Sequence, residues 1–377
     1  MSRRIALLAF SCWAGLSACG GGVERDGAAA VQPGGSGGGG GGGSGGDGEG
    51  GTGGAGGSGS EGGAGGSAVG DVRRLTPRLA GIVDPLAAAG IRGKLYLTDD
   101  ADVFHSLHRF YEVFPDEFDF VVFMTEVGYP PAVGVYTTVN REAMPSIGRK
   151  WKIADQRSPS RRVLGAISQK YGSAGPTLHE IAHHWAAWLS NDLGFSQGHW
   201  YYAGVNGILG GFDPETLFCE APEGARPPCE PDFDGFTSYV VDDFGRFGNF
   251  VRYAPLELYL MGLVPPEEVP PTPILREVES NTELPDGRRR IRARSLSTVT
   301  IEDIIEHHGL RPLATAEERT LRVAFVLVTE EEPTEEQIET ADGFVQVVSC
   351  EKPVDWTYCF GDATRGLASM KVDLPKP

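Results

Sequence analysis

From about residue 71 onward, apolar and polar positions recur with two periods, one near 3.6 residues and one near 2. Val103, Phe104, Leu107, Phe110, Tyr111 and Phe114 stand at helical spacing and predict a helix over 101–114. Phe118 to Met124 is an apolar, β-branched and aromatic run, the pattern of a buried strand. Shorter runs at 95–97, 133–139 and 162–168 predict further strands. A second helix is expected over about 176–193. Pro176 and Thr177 can open it, Leu178, Ile181, Ala182, Trp185, Ala186, Trp188 and Leu189 continue it, and Asn191, Asp192 and Gly194 supply a stop. Pro255 and Gly262 frame a short third helix.

Residues 265–300 are rich in proline and charge and read as a connection, with Arg288, Arg289, Arg290, Arg292 and Arg294 on a solvated strand or loop. Thr300 starts a helix over 301–308 that Gly309 ends. A strand over 321–329, a short helix over 334–341 and a strand over 344–348 follow. Strands and helices in this order indicate an α+β fold.

The first 70 residues lack such periodicity. Ser2-Arg3-Arg4 is a basic start, Ile5 to Ala14 is apolar but too short to span a bilayer, and Leu16-Ser17-Ala18-Cys19 closes the segment. Residues 1–18 therefore read as a signal peptide. The Leu-Ser-Ala-Cys ending resembles a bacterial lipobox, which implies that Cys19 is lipidated and anchors the chain at the outer membrane or cell surface. Residues 19–70 are mostly glycine and predict a flexible tether with a reach on the order of 40 Å. Residues 71–377 are left to form the folded part.

The net charge of −18 argues against nucleic acid as a partner and against electrostatic attachment to anionic lipid, leaving the lipid as the membrane contact. A monomer is expected. Export permits disulfides, and proximity predicts the pairs Cys219–Cys229 and Cys350–Cys359.

The candidate chemistry centres on His179-Glu180-Ile181-Ala182-His183. On a helix, residues four apart share a face, so His179 and His183 can present two imidazoles to one ion. Glu180, one position round, can reach a water on that ion as a general base. At these residues the chain resembles the zincin superfamily of zinc peptidases. The resemblance implies Zn2+ as cofactor, a peptide or protein as substrate, and a zincin-like N-terminal lobe (a mixed sheet plus the metal helix) followed by a mixed C-terminal lobe. It places the metal site within 176–262.

A third ligand is needed. Ala186 and Leu189 stand where metzincins have glycine and a third histidine, which excludes that arrangement. Two candidates remain. Glu257 is the one charge among the twelve residues Tyr253 to Val264, and a carboxylate in so apolar a segment costs several kcal/mol unless paired or metal-bound. It resembles the glutamate ligand of gluzincins and is the expected third ligand. His199 is the rival. If Glu257 binds the ion, His199 is expected to act in catalysis by stabilising an oxyanion, a role open also to Tyr201, Tyr202, Tyr253 and Tyr259. Gly204 to Gly211 is read as a stretch where a peptide substrate can approach, and 133–139 as the edge strand along which it lies. His105, His108, His307 and His308 are assigned no chemistry. The function expected is a surface-tethered zinc endopeptidase. The alternatives are an inactive zincin-like binding lipoprotein and a zinc hydrolase of a non-peptide envelope substrate.

Overall fold

The computed structural model describes residues 72–376 apart from 86–87, 89–100, 126–133, 140–157, 171–175, 187–188, 197, 243, 246–248 and 356. The signal peptide, Cys19, the glycine-rich tether and the strand expected at 95–97 lie outside the described residues.

The larger sheet contains β1 (Arg73–Arg74), β2 (Leu79–Val83), β3 (Phe120–Thr125), β4 (Gly134–Thr138) and β5 (Gly165–Lys170). It also takes β10 (Thr320–Thr329) and β11 (Ser369–Lys371) from the far end of the chain. Its order is β1-β2-β10-β3-β5-β4, with β11 pairing with β10. β2, β10, β3 and β5 are parallel neighbours, and β4 runs antiparallel to β5 as the last strand on that side among the described residues. The sequence reading put the sheet ahead of the metal helix, but β10 inserts between β2 and β3. The sheet is therefore built from both ends of the chain and does not belong to an N-terminal lobe alone.

Period-2 alternation sorts the central strands onto two faces. Phe120, Val122 and Met124 of β3, with Val323, Phe325 and Leu327 of β10, join one core. Val121 and Phe123, with Ala324, Val326 and Val328, join the other. On this second face packs α1 (Ala101–Val113) through Phe104, Leu107 and Phe110. The first face carries five further helices: α2 (Thr177–Ala182), α3 (Pro255–Leu260), α4 (Ile301–His308), α5 (Glu335–Val348) and α6 (Phe360–Ala363). Both faces are covered, which explains why β3 and β10 read as continuous apolar runs.

A second, antiparallel sheet has the order β6-β7-β9-β8, from β6 (Phe218–Cys219), β7 (Thr237–Val241), β8 (Thr272–Glu283) and β9 (Arg289–Val299). Here the connection expected over 265–300 proves to be mostly a β-hairpin, and Arg289, Arg290, Arg292 and Arg294 lie on a strand, one of the two forms expected for them. The prolines of this segment stand before β8, at its second residue and, as Pro285, in the turn after it; the outer half of β8 is largely exposed, while in β9 the buried Ile291 and Ala293 alternate with arginines. An Asp286-Gly287 turn closes the hairpin, with Gly287 at φ +87°. The arginines of β9 meet acids across the sheet, Arg292 with Asp232, Asp234 and Glu279, and Arg294 with Glu277. Both expected disulfides are present.

The helix and strand expected over 334–348 are one helix, α5. Thr334 and Gln337 form a capping box at its start. The run Phe344–Val348 resembles a strand, but Ala341, Phe344, Val345 and Val348 form the i, i+3, i+4, i+7 stripe of a helix facing the core. Gly343 then lies inside a helix, and open space surrounds the position of its missing Cβ. Gly343→Ala is expected to raise stability by about 1 kcal/mol in urea unfolding. A turn at this position would show no such gain.

Candidate metal centre

All six residues of α2 are buried, so its polar groups must be met from other parts of the chain. Pro176, at its start, offers no side-chain cap. The carboxamide of Asn249 accepts the Leu178 N–H at 3.0 Å instead, and the Tyr253 hydroxyl donates to the Leu178 carbonyl at 2.8 Å. Thr177 donates to Gln169 on β5. The helix is shorter than the 176–193 expected. After His183 the N–H groups of His184 and Trp185 turn to acceptors three residues back, and Ser190 then caps a separate 3-10 turn, Asn191–Leu193, ended by Gly194 at φ +84°.

His179 and His183 are joined by His199, and one ligand atom from each lies within 4.8 Å of the other two. The three ring centroids stand 5.0, 5.1 and 4.9 Å apart. His179 Nδ1 lies 2.8 Å from the Ile208 carbonyl. That oxygen can only accept, so Nδ1 carries the proton and Nε2 keeps its lone pair. Nε2 of His179 is 3.1 Å from Nε2 of His199. Two imidazole nitrogens bound tetrahedrally to one zinc-like ion are separated by roughly 3.3 Å, so the spacing fits a shared cation. Burial, and then the neighbouring His199, push the His179 pKa down to about 3. Burial holds His199 down to about 4, and His183 well below the usual imidazole value. All three stay in the neutral form that binds metal.

Glu180 is buried against β4. A Cβ at Gly134 of β4 would stand 2.8 Å from its Cγ, so only glycine lets the side chain lie there. Its carboxylate accepts the Tyr136 backbone N–H, yet burial dominates and pushes its pKa up to about 8. The Tyr136 hydroxyl lies 2.9 Å from His184 Nδ1, and its ring fills the space that Gly165 leaves open. One residue of β4 therefore meets α2 at Glu180 and the turn after it at His184.

Glu257, expected as the third ligand, is corrected. Its oxygens lie in a different set of contacts: Trp200 Nε1 at 2.8 Å and Leu209 N at 3.0 Å on Oε1, Ile208 N at 2.9 Å and Ala254 N at 2.8 Å on Oε2. Four N–H donors stabilise the buried carboxylate that the sequence marked as needing a partner, and His199 stands where Glu257 was expected. With His199 in the imidazole group, the oxyanion role passes from it. Gly204–Gly211 is likewise not an open approach for substrate, since Gly207 instead admits the Glu257 carboxylate.

The four tyrosines also separate. Tyr253 donates into α2, the Tyr259 hydroxyl accepts from Arg311 N, and the Tyr202 ring lies on Phe244. Tyr201 is 48% exposed beside His199, with its φ at +37°. His105 and His108 are exposed on α1, and His308 accepts the Ser190 N–H. Asn249, Tyr136 and the Ile208–Leu209 peptide had no signal in the sequence, because each acts through a contact remote along the chain.

Comparisons with protein-family models, with curated proteins and with solved structures return no match for this chain.

Single replacements His179→Ala, His183→Ala and His199→Ala are each expected to lose the bound metal on dialysis, as read by elemental analysis. Retention of one ion per chain by His199→Ala would remove it from the ligand set.

Proposed function

We propose that this chain is an exported, lipid-anchored zinc endopeptidase. The observation that carries the reading is the third imidazole, His199, converging on His179 and His183 beside a buried Glu180. Three neutral imidazoles suit a borderline ion such as Zn2+ and leave a coordination position for water or substrate. When bound, such an ion acidifies a water and polarises a carbonyl as a Lewis acid.

The chain's own residues supply the rest. Glu180 is the general base: it takes a proton from the attacking water and returns it to the leaving amine. Its raised pKa, caused by burial, suits a group that must both accept and release a proton near neutrality. The Tyr136 N–H and the glycine at 134 fix its position. Tyr201 offers a phenol beside His199 for the carbonyl oxygen as negative charge develops there. Support for the zincin resemblance comes from β4, an antiparallel strand, the last on its side among the described residues, packed on the metal helix. Its outer side offers backbone groups to an extended peptide.

Two disulfides are consistent with an oxidising compartment outside the cytosol. No helix among the described residues is long and apolar enough to cross a membrane. The lipid on Cys19, the glycine-rich tether and a monomeric state complete the proposal.

Glu180→Gln is expected to keep the metal and lose on the order of 10²–10⁴-fold in turnover of an unstructured protein such as casein. Full cleavage by this variant would sink the peptidase mechanism. Metal binding with no Glu180-dependent cleavage of peptides by the wild type would point to an inactive binding protein. Tyr201→Phe is expected to lower kcat by on the order of 10²-fold with KM little changed, measured on the same substrate. Unchanged kcat would remove the phenol from the mechanism.

A further inference from the structure

The buried Glu257 carboxylate lies outside the imidazole group yet is bound to it through one peptide unit. The Ile208 carbonyl accepts His179 Nδ1–H at 2.8 Å, and the N–H of that same peptide, on Leu209, donates to Glu257 Oε1 at 3.0 Å. Gly207 and Gly210 exchange two backbone hydrogen bonds of 3.0 Å, which closes a small hairpin with Ile208 and Leu209 at its tip. Oε2 holds the same tip through Ile208 N.

We propose that Glu257 is a positioning residue for the metal site, acting through a carboxylate–peptide–histidine relay that ends on His179. The proposal rests on the histidine group holding an ion. Metal-bound histidines commonly donate their second N–H to a carboxylate or a carbonyl, which fixes the ring and raises its basicity. Here the two devices are joined in series. The carboxylate charge draws on the Leu209 N–H and polarises the peptide, so the Ile208 oxygen becomes a stronger acceptor for Nδ1–H. Electron density at His179 Nε2, the atom facing the ion, rises with it.

The same Oε1 also accepts the indole N–H of Trp200, the residue after His199. One oxygen thus serves two of the three candidate ligands. A protonated carboxyl would find no acceptor for its proton among four N–H donors, so the group acts as an anion. Gly207 is the condition for the whole arrangement. A Cβ there would stand 2.2 Å from Oε2 and 2.6 Å from Oε1.

The test is zinc affinity of the purified full chain, by competition with a chelating dye, for wild type, Glu257→Gln, Gly207→Ala and Trp200→Phe. Glu257→Gln and Gly207→Ala, which neutralise and displace the carboxylate, are expected to bind zinc about 10–100-fold more weakly. Trp200→Phe removes one donor but leaves the Leu209 link, and is expected to lose stability while keeping affinity within a few-fold. In zinc-loaded protein with 15N-labelled histidine, the His179 Nδ1–H proton resonance should move upfield in Glu257→Gln. If that variant does not fold, Gly207→Ala carries both measurements with the charge retained. A folded variant of either kind with wild-type affinity and an unmoved resonance would overturn the relay, as would equal loss of affinity in Trp200→Phe. A wild-type chain that takes no zinc would overturn the metal site itself.

Discussion

A helix buried on every side yet carrying two imidazoles and a carboxylate is the constraint that organises this molecule. Each polar atom in such a place costs on the order of 1–3 kcal/mol if left unmatched, so the surrounding chain must supply partners. It does so from three distant segments. Asn249 and Tyr253 meet the backbone of α2, Tyr136 meets Glu180 and His184, and Ile208 meets His179. The apolar cluster around them, with Leu178, Ile181 and Trp185 against Phe120 and Ile208, excludes the water that could otherwise serve.

That exclusion sets the electrostatics. Burial disfavours charge on His179, His183 and His199 and favours the protonated form of Glu180. A cation among the imidazoles reverses the balance for the carboxylate, because a nearby positive charge favours its ionised form. Burial pushes the Glu257 pKa up as well, and four N–H groups, in place of an ion, pull against it. Two buried carboxylates on one face of the sheet thus meet the same penalty with different neighbours. Only Glu180 lies beside the imidazoles in sequence.

What could be read from the sequence followed the range of each interaction. His179, Glu180 and His183 were legible because helical spacing is local, and β3, β10, α1 and α4 because their periodicity or caps lie within a dozen residues. Glu257 was legible as an anomaly, but a buried carboxylate satisfied by a ligated ion and one satisfied by backbone N–H groups look alike in one dimension. What separates them is the hairpin of 207–210, whose glycines could equally have meant an open surface. The outer half of β8–β9 was passed over for a different reason: β8 is largely exposed there, and in β9 the two buried apolar residues, Ile291 and Ala293, stand among so many arginines that the segment looked like a charged connection. Phe344–Val348 misled because a five-residue, mostly apolar run fits a strand as well as little more than one turn of a buried helix, and its length decides nothing.

The disulfides take their meaning from the same geometry. Asn249, whose side chain caps Leu178 N–H, offers its own carbonyl to Tyr358 N at 2.7 Å and Thr357 Oγ1 at 2.8 Å. Tyr358 precedes Cys359, which is bridged to Cys350 just past the end of α5. A continuous path therefore runs from the core helix α5, across the disulfide, through Asn249, to the first turn of the metal helix. Closing a loop of this size removes about 3 kcal/mol of chain entropy from the unfolded state, in the loop-closure account. The cap on α2 cannot come from its own N-terminus, where Pro176 has no group to give. It comes instead from Asn249, whose own carbonyl is held by Thr357 and Tyr358, within the loop that the Cys350–Cys359 bridge closes.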